Sequence, residues 1–209
     1  MQKESIKNLI FDLGVVIINI DTDRTVEAMK SLGFNDFQES YTLFKQIDLF
    51  DKLEKGIIKS DDFRNEMRKH ILNEVNDKQF DKAWSAMLLD FPNERIEIIK
   101  RLAKNYNVYL LSNTNEIHYN QYIKDFKDQY GFDFNSLFQK VYYSFQLGMR
   151  KPDTEIFEFV LDDSRLNPFE TVFIDDLVKN IETAARLGIN TIWIDETKGD
   201  NIVNKLNGF

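Results

Sequence analysis

Asn8-Leu9-Ile10-Phe11-Asp12-Leu13-Gly14-Val15-Val16 opens with an apolar run that ends on an aspartate and, two residues later, a glycine. Similar runs recur downstream: Val108-Tyr109-Leu110-Leu111, Val141-Tyr142-Tyr143, Thr171-Val172-Phe173-Ile174 and Thr191-Ile192-Trp193-Ile194. Each is strand-length and rich in β-branched or aromatic residues, as strands buried on both faces are. Between them the pattern is helical. Residues 94–104 place Ile96, Ile99 and Leu102 on one stripe, with Pro92 near the start. Ile156, Phe157 and Val160 form the next stripe. Ile181, Ala184 and Leu187 form another, closed by Gly188. Strand–helix–strand repetition predicts an α/β fold: a doubly wound parallel sheet with helices on both faces.

The spacing has one anomaly. Roughly ninety residues separate the first run from the second, too many for a structureless loop. Val26/Met29, Phe44/Ile47/Phe50, Phe63/Met67 and Ile71/Val75 recur there at helical spacing. Ser60-Asp61-Asp62 reads as an N-cap followed by first-turn acids. An all-helical insertion is therefore expected over residues 16–89, above the end of the first strand. Residues 1–15 and 90–209 would form the core.

Composition narrows the chemistry. The chain has 209 residues, 43% of them hydrophobic, with 18 Phe, which is enough for a substantial core. Cys is absent, which excludes disulfides, thiolate metal sites and cysteine nucleophiles. Only two His, His70 and His118, are present, so any metal is expected to be a hard ion held by oxygen. His118 reads as a helix-surface residue. The net charge of −8 argues against nucleic acid and anionic membranes as partners. The longest apolar stretch, residues 9–20, is too short to span a bilayer and contains Asp12. It has no small-residue cleavage site behind it, so a cytoplasmic protein is expected.

Polar residues cluster just after the apolar runs. Asp12 follows the first, Ser112-Asn113-Thr114-Asn115 the second, Arg150-Lys151-Pro152-Asp153 lies beyond the third, and Asp175-Asp176 follows the fourth, with Asn180 close behind. Ligands of doubly wound sheets bind beyond the carboxyl ends of the strands. Each group also has an ordinary structural use. Asp12 can shape a turn, Ser112 or Asn113 can cap a helix, Lys151 can be a solvated loop residue, and Asp175-Asp176 can begin a helix. Few structural needs produce all four, in this order, at one sheet edge.

Taken together, these motifs resemble the haloacid dehalogenase superfamily of hydrolases over essentially the whole chain, helical cap included. The Asp12-Leu13-Gly14 form, the Ser112-Asn113-Thr114-Asn115 run and Leu147-Gly148-Met149-Arg150-Lys151-Pro152 look most like a bacterial branch that includes phosphatases of α-glucose 1-phosphate. The resemblance implies a phosphatase acting on a small phosphoester. Mg²⁺ would be held by Asp12, Asp176 and the Gly14 backbone carbonyl. Asp12 would be the nucleophile, giving an aspartyl-phosphate. Lys151 would neutralise Asp12 and the phosphoryl group, while Ser112 and the Asn113 N–H would hold phosphate oxygens. Asp175 and Asn180 would support the acidic loop and Lys151.

Two positions depart from the family pattern. Most phosphatases of the superfamily carry a second Asp two residues after the nucleophile, as acid and base; here that residue is Gly14. The similar sugar-phosphate branch also has Gly there. A metal-bound water, the substrate or a cap residue could carry the proton. Asp21 and Asp23 are candidates, although Asp21 also reads as a helix cap. Val15 stands where a small or polar residue is common. Other readings remain open. A weakly active or inactive module could bind a phosphorylated ligand or partner. A dehalogenase would use the same Asp but does not need the acidic pair. A receiver domain carries its acidic pair on the first strand, which does not fit this order.

Overall fold

The computed structural model describes residues 5–37 and 48–209. Five parallel strands, β1 (Asn8–Phe11), β2 (Asn107–Ser112), β3 (Lys140–Tyr143), β4 (Thr171–Asp175) and β5 (Asn190–Trp193), form one sheet in the order β3-β2-β1-β4-β5. The order reverses at β1, so the topological switch point lies at its carboxyl end. This is the predicted doubly wound architecture.

Side-chain alternation explains why both faces are covered. Leu9, Phe11, Val108, Leu110, Val172 and Ile174 point to one face. There they meet helices Asn93–Leu102 and Glu116–Tyr130 through Ile96, Ile99, Tyr122 and Phe126. Ile10, Tyr109, Leu111 and Phe173 point to the other face. They meet helices Thr154–Asp163 and Val178–Arg186 through Ile156, Phe157, Val160 and Ala184. A continuous apolar run is the sequence form of such a strand, because neither of its faces reaches water.

The described part of the long segment between β1 and β2 is mostly helical. Helices Thr22–Ser31, Leu49–Glu54, Ser60–Arg68 and Asp77–Trp84 gather around Met29, Leu53, Phe63, Met67 and Phe80, a cluster separate from the sheet's two. Val16, Ile17 and Ile18 instead pack with the sheet. The chain leaves and re-enters as a paired ribbon. Asn19 and Asp90 bond in both backbone and side chain, Leu89 N–H donates to the Asn19 carbonyl, and Ile20 bridges Leu88 antiparallel.

Local expectations differ from the structure in a few places. Ile71 and Val75 lie in a loop, because Asn73 donates to the Leu32 carbonyl and Asn76 starts a new helix with a capping box to Gln79. Ser60 is the first helical residue and Lys59 holds the cap position; the Ser60 hydroxyl instead donates to Glu116 at 2.6 Å. Phe44 and Ile47 lie outside the described residues. Asp21 does cap its helix, accepting from the Asp23 N–H at 3.1 Å. Among the described residues no helix is long and apolar enough to cross a membrane.

Candidate active site

The polar residues at the strand ends meet at the switch point. Asp12 leaves β1, and its N–H donates to the Ile174 carbonyl of β4. Beyond it the chain folds tightly. Val15 has φ +63°, and the Val16 N–H donates to the Gly14 carbonyl at 2.5 Å, the i→i+2 bond of a γ-turn. A β-branched residue there is strained by roughly 1–3 kcal/mol. The Arg95 guanidinium holds the turn by donating to the Val15 carbonyl at 2.6 Å.

Lys151 is the hub. Only 1% of its side chain is accessible, and its ammonium donates to Asp12 Oδ1 at 2.6 Å, Asp175 Oδ2 at 2.7 Å and the Leu111 carbonyl at 2.8 Å. Its backbone is fixed by the Asn113 side chain, which accepts from the Lys151 N–H and donates to the Lys151 carbonyl. Burial opposes the lysine charge, yet Asp12 and Asp175 outweigh it and hold the pKa above the ordinary value.

Asp175 is fully buried and accepts from Lys151, from the Leu177 N–H and from Asn180 on both oxygens. Its oxygens are thus taken up by the fold. Asp176, beside it, is half-buried. One oxygen each of Asp12, Asp175 and Asp176 can be chosen so that all lie within 4.8 Å of one another. Crowding shows in their proton affinity. Burial, with Asp175 and Asp176 adding to it against the pull of Lys151, pushes Asp12 up to about 7. Burial and Asp175 push Asp176 up to about 6. Three carboxylates face one ammonium, and all the donors are hard oxygens. That set fits a hard divalent cation such as Mg²⁺, for which Asp12 and Asp176 have oxygens to offer and the Gly14 carbonyl lies two residues from Asp12.

Ser112, 2% exposed at the end of β2, and Asn113 line the same cavity as Asp12, Lys151 and Asp176. The next helix is capped by neither of them, but by Asn115, which accepts from the His118 N–H. That leaves Ser112 and the Asn113 N–H beside the helix N-terminus and free of capping duty.

The cavity, about 480 Å³, is closed on its far side by the helical segment, through Phe50, Glu54, Trp84 and Met87. His118 is not a surface residue. It lies under this roof, stacked on Trp84 with ring centroids 5.4 Å apart, and its Nε2 lies 3.1 Å from the Trp84 carbonyl. Burial holds its pKa down to about 4, so the ring is neutral and donates that bond. Residues that reading the sequence missed include Ser144, whose buried hydroxyl accepts from the Thr114 N–H and donates to the Thr114 carbonyl. Glu54 is another. No local spacing announces either, because their partners lie far away in the chain.

Residues 9–194 match the family described as haloacid dehalogenase-like hydrolase. The chain is 36% identical over 186 residues to a D-ribitol-5-phosphate phosphatase of Bacteroides thetaiotaomicron, covering 89% of this chain and 90% of that protein. It resembles a crystal structure of a family enzyme from Bacteroides thetaiotaomicron in complex with magnesium and inorganic phosphate, with TM-score 0.86, 40% identity and coverage of 91% and 94%. It also resembles a predicted HAD-like family hydrolase from Porphyromonas gingivalis, with TM-score 0.86, 33% identity and coverage of 98% and 97%.

Proposed function

The chain belongs to the haloacid dehalogenase-like hydrolase family, and from that premise we propose that it is a Mg²⁺-dependent phosphomonoesterase for a small phosphorylated metabolite, with Asp12 as nucleophile. The observation that carries this reading is the Lys151 ammonium held between Asp12 and Asp175, with Asp176 beside them at the carboxyl edge of β1 and β4.

A phosphomonoester dianion repels a carboxylate nucleophile. Mg²⁺, when bound by Asp12, Asp176 and the Gly14 carbonyl, would supply positive charge against that repulsion. Lys151 holds Asp12 Oδ1 through its 2.6 Å bond and favours the ionised form of Asp12. Its three protons are all directed at protein oxygens, so it acts on a phosphoryl group chiefly through its field. Asp175 and Asn180 hold Lys151 in place. The Ser112 hydroxyl and the Asn113 N–H would receive phosphate oxygens at the helix N-terminus. An oxygen of Asp12 then bonds to phosphorus as the ester bond breaks, and water later cleaves the Asp12–phosphorus bond.

The helical segment between β1 and β2, without Val16, Ile17 and Ile18, serves as the cap in this reading. A cavity of about 480 Å³ roofed by the helical segment suits a sugar or polyol phosphate better than a folded protein chain. The relative's action on D-ribitol 5-phosphate supports that class.

The test is hydrolysis of p-nitrophenyl phosphate by the wild type with Mg²⁺, with EDTA, and by Asp12→Asn with Mg²⁺. Turnover with Mg²⁺ is expected, lost in both other arms. A folded wild type that binds Mg²⁺ but does not turn over would overturn the reading. Ribitol 5-phosphate and α-glucose 1-phosphate then head the substrate panel.

A further inference from the structure

Gly14 leaves the leaving group without an acid from the loop after β1, so the cavity must supply one or the reaction must run without it. Four carboxyl groups line the cavity among the described residues: Asp12, Asp23, Glu54 and Asp176. Asp12 and Asp176 belong to the nucleophile and cation cluster. Asp23 is exposed to solvent in the first turn of its helix. The other titratable groups there serve poorly. The Nε2–H of His118 is committed to the Trp84 carbonyl, and its ring carries no second proton at neutral pH. Tyr122 is buried at 1% exposure, with its phenol pushed well above the ordinary value by burial. Glu54 remains.

We propose that Glu54 of the cap is the general acid and base of the reaction, occupying from above the role that Gly14 leaves empty below. The proposal rests on the phosphatase reading. Glu54 sits at the end of helix Leu49–Glu54 and faces the cavity that Asp12 faces from the sheet. It is tied to the catalytic loop by Arg150, the residue before Lys151, at 3.0 Å. Arg150 also pairs with Asp51, so two carboxyl groups share one guanidinium. Burial pushes the Glu54 carboxyl above the ordinary glutamate value; Asp51 adds to this, while Arg150 and Lys151 oppose it. Asp51, Arg150 and Lys151 are thus the charged groups that set its proton. Further support comes from the turn that follows it. Gly56 has φ +63°, and a Cβ there would lie 2.2 Å from the Phe145 carbonyl oxygen of the core. Lys55 pairs with Asp153 at 2.8 Å. Glu54 is therefore held beside a cap turn that docks against the core.

The proton balance closes. As the Asp12–phosphorus bond forms and the ester bond breaks, the Glu54 carboxyl gives its proton to the leaving alkoxide, releasing an alcohol. The Glu54 carboxylate then takes a proton from the water that attacks the phosphorylated Asp12. Phosphate leaves, and Asp12 and protonated Glu54 are restored.

A leaving-group comparison tests this. An alkyl phosphate needs the acid and p-nitrophenyl phosphate barely does. In Glu54→Gln, kcat/KM for an alkyl phosphate is expected to fall by ~10²–10⁴-fold, and for p-nitrophenyl phosphate by far less. Glu54→Asp should recover part of the alkyl loss. Equal loss on both substrates, or no loss on either, would overturn the proposal. A measurement on the wild type covers a variant that fails to fold: kcat/KM for the alkyl phosphate should decline at higher pH as Glu54 loses its proton, and that limb should be missing with p-nitrophenyl phosphate. Identical pH profiles would overturn it as well. If the wild type hydrolyses neither substrate, the phosphatase reading fails, and that result is distinct from these.

Discussion

The three protons of the Lys151 ammonium are directed at Asp12, Leu111 and Asp175. Replacing the side chain with methionine keeps its bulk and leaves two buried carboxyl groups facing each other. Breaking a buried pair in this way costs about 3–5 kcal/mol when the remaining charge cannot be neutralised. Here it can be, because Asp12 already titrates near 7. Lys151→Met is therefore expected to lose activity and to be destabilised more at about pH 8 than at about pH 5, since protonated Asp12 needs no cation. Urea unfolding in EDTA at the two pH values checks this; a pH-independent loss would contradict the account. The same residue shows what a sequence can and cannot disclose. Lysine before proline reads as a solvated loop residue, and only the order of the four motifs marks it for the site. Its burial follows from Asn113, 38 residues earlier, gripping its backbone. Glu54 carries no pattern of its own, because its partner Arg150 lies far along the chain, beyond β3.

Elements were legible where burial imposes a period. The central strands β1, β2 and β4 and the helices that cover them repeat their apolar residues as the sheet requires; the edge strand β5 reads the same in sequence but is only partly buried, with Trp193 exposed. The Ile71/Val75 pair shows the limit, since two apolar residues four apart also fit a loop pinned by Asn73. How the cap docks could not be read either. The contact depends on a turn, Lys55-Gly56, meeting Phe145, about ninety residues along. That contact makes a prediction at this scale. In Gly56→Ala the new Cβ meets a backbone oxygen at 2.2 Å and the backbone is left-handed, so both strain and collision are expected. Gly131→Ala is the control, because its φ is +78° but nothing lies within 4 Å of the Cβ. Each should lose about 1 kcal/mol or more of stability from the backbone term. Only Gly56→Ala should also lower kcat/KM, because it displaces the cap turn. If the two variants matched in kcat/KM, the docked turn would not matter to the reaction.

At the scale of the whole molecule, the acidic cluster links folding to metal and pH. Asp12 and Asp176 have pKa values of about 7 and about 6, against an unfolded value of 3.8. Both are raised, so the folded protein without metal binds more protons than the unfolded chain. Its stability from these groups is complete below the unfolded value and is lost as pH rises through 6 and 7. A bound divalent cation reverses this, because it favours the ionised carboxylates and binds the native state alone. The difference in Tm between Mg²⁺ and EDTA should therefore be small near pH 5 and widen steadily to about pH 8. Burial lowers His118 to about 4 with the opposite sign, so its contribution is lost as pH falls below 6.5. It lies in both arms of the comparison and so cancels in the difference. Thermal unfolding across that range, with and without Mg²⁺, reads the widening directly. In Asp176→Asn one of the two titrating groups is gone, and its push on Asp12 with it, so the widening should shrink and centre below 7. A Mg²⁺ shift that is constant with pH would mean that the cation does not bind at these carboxylates.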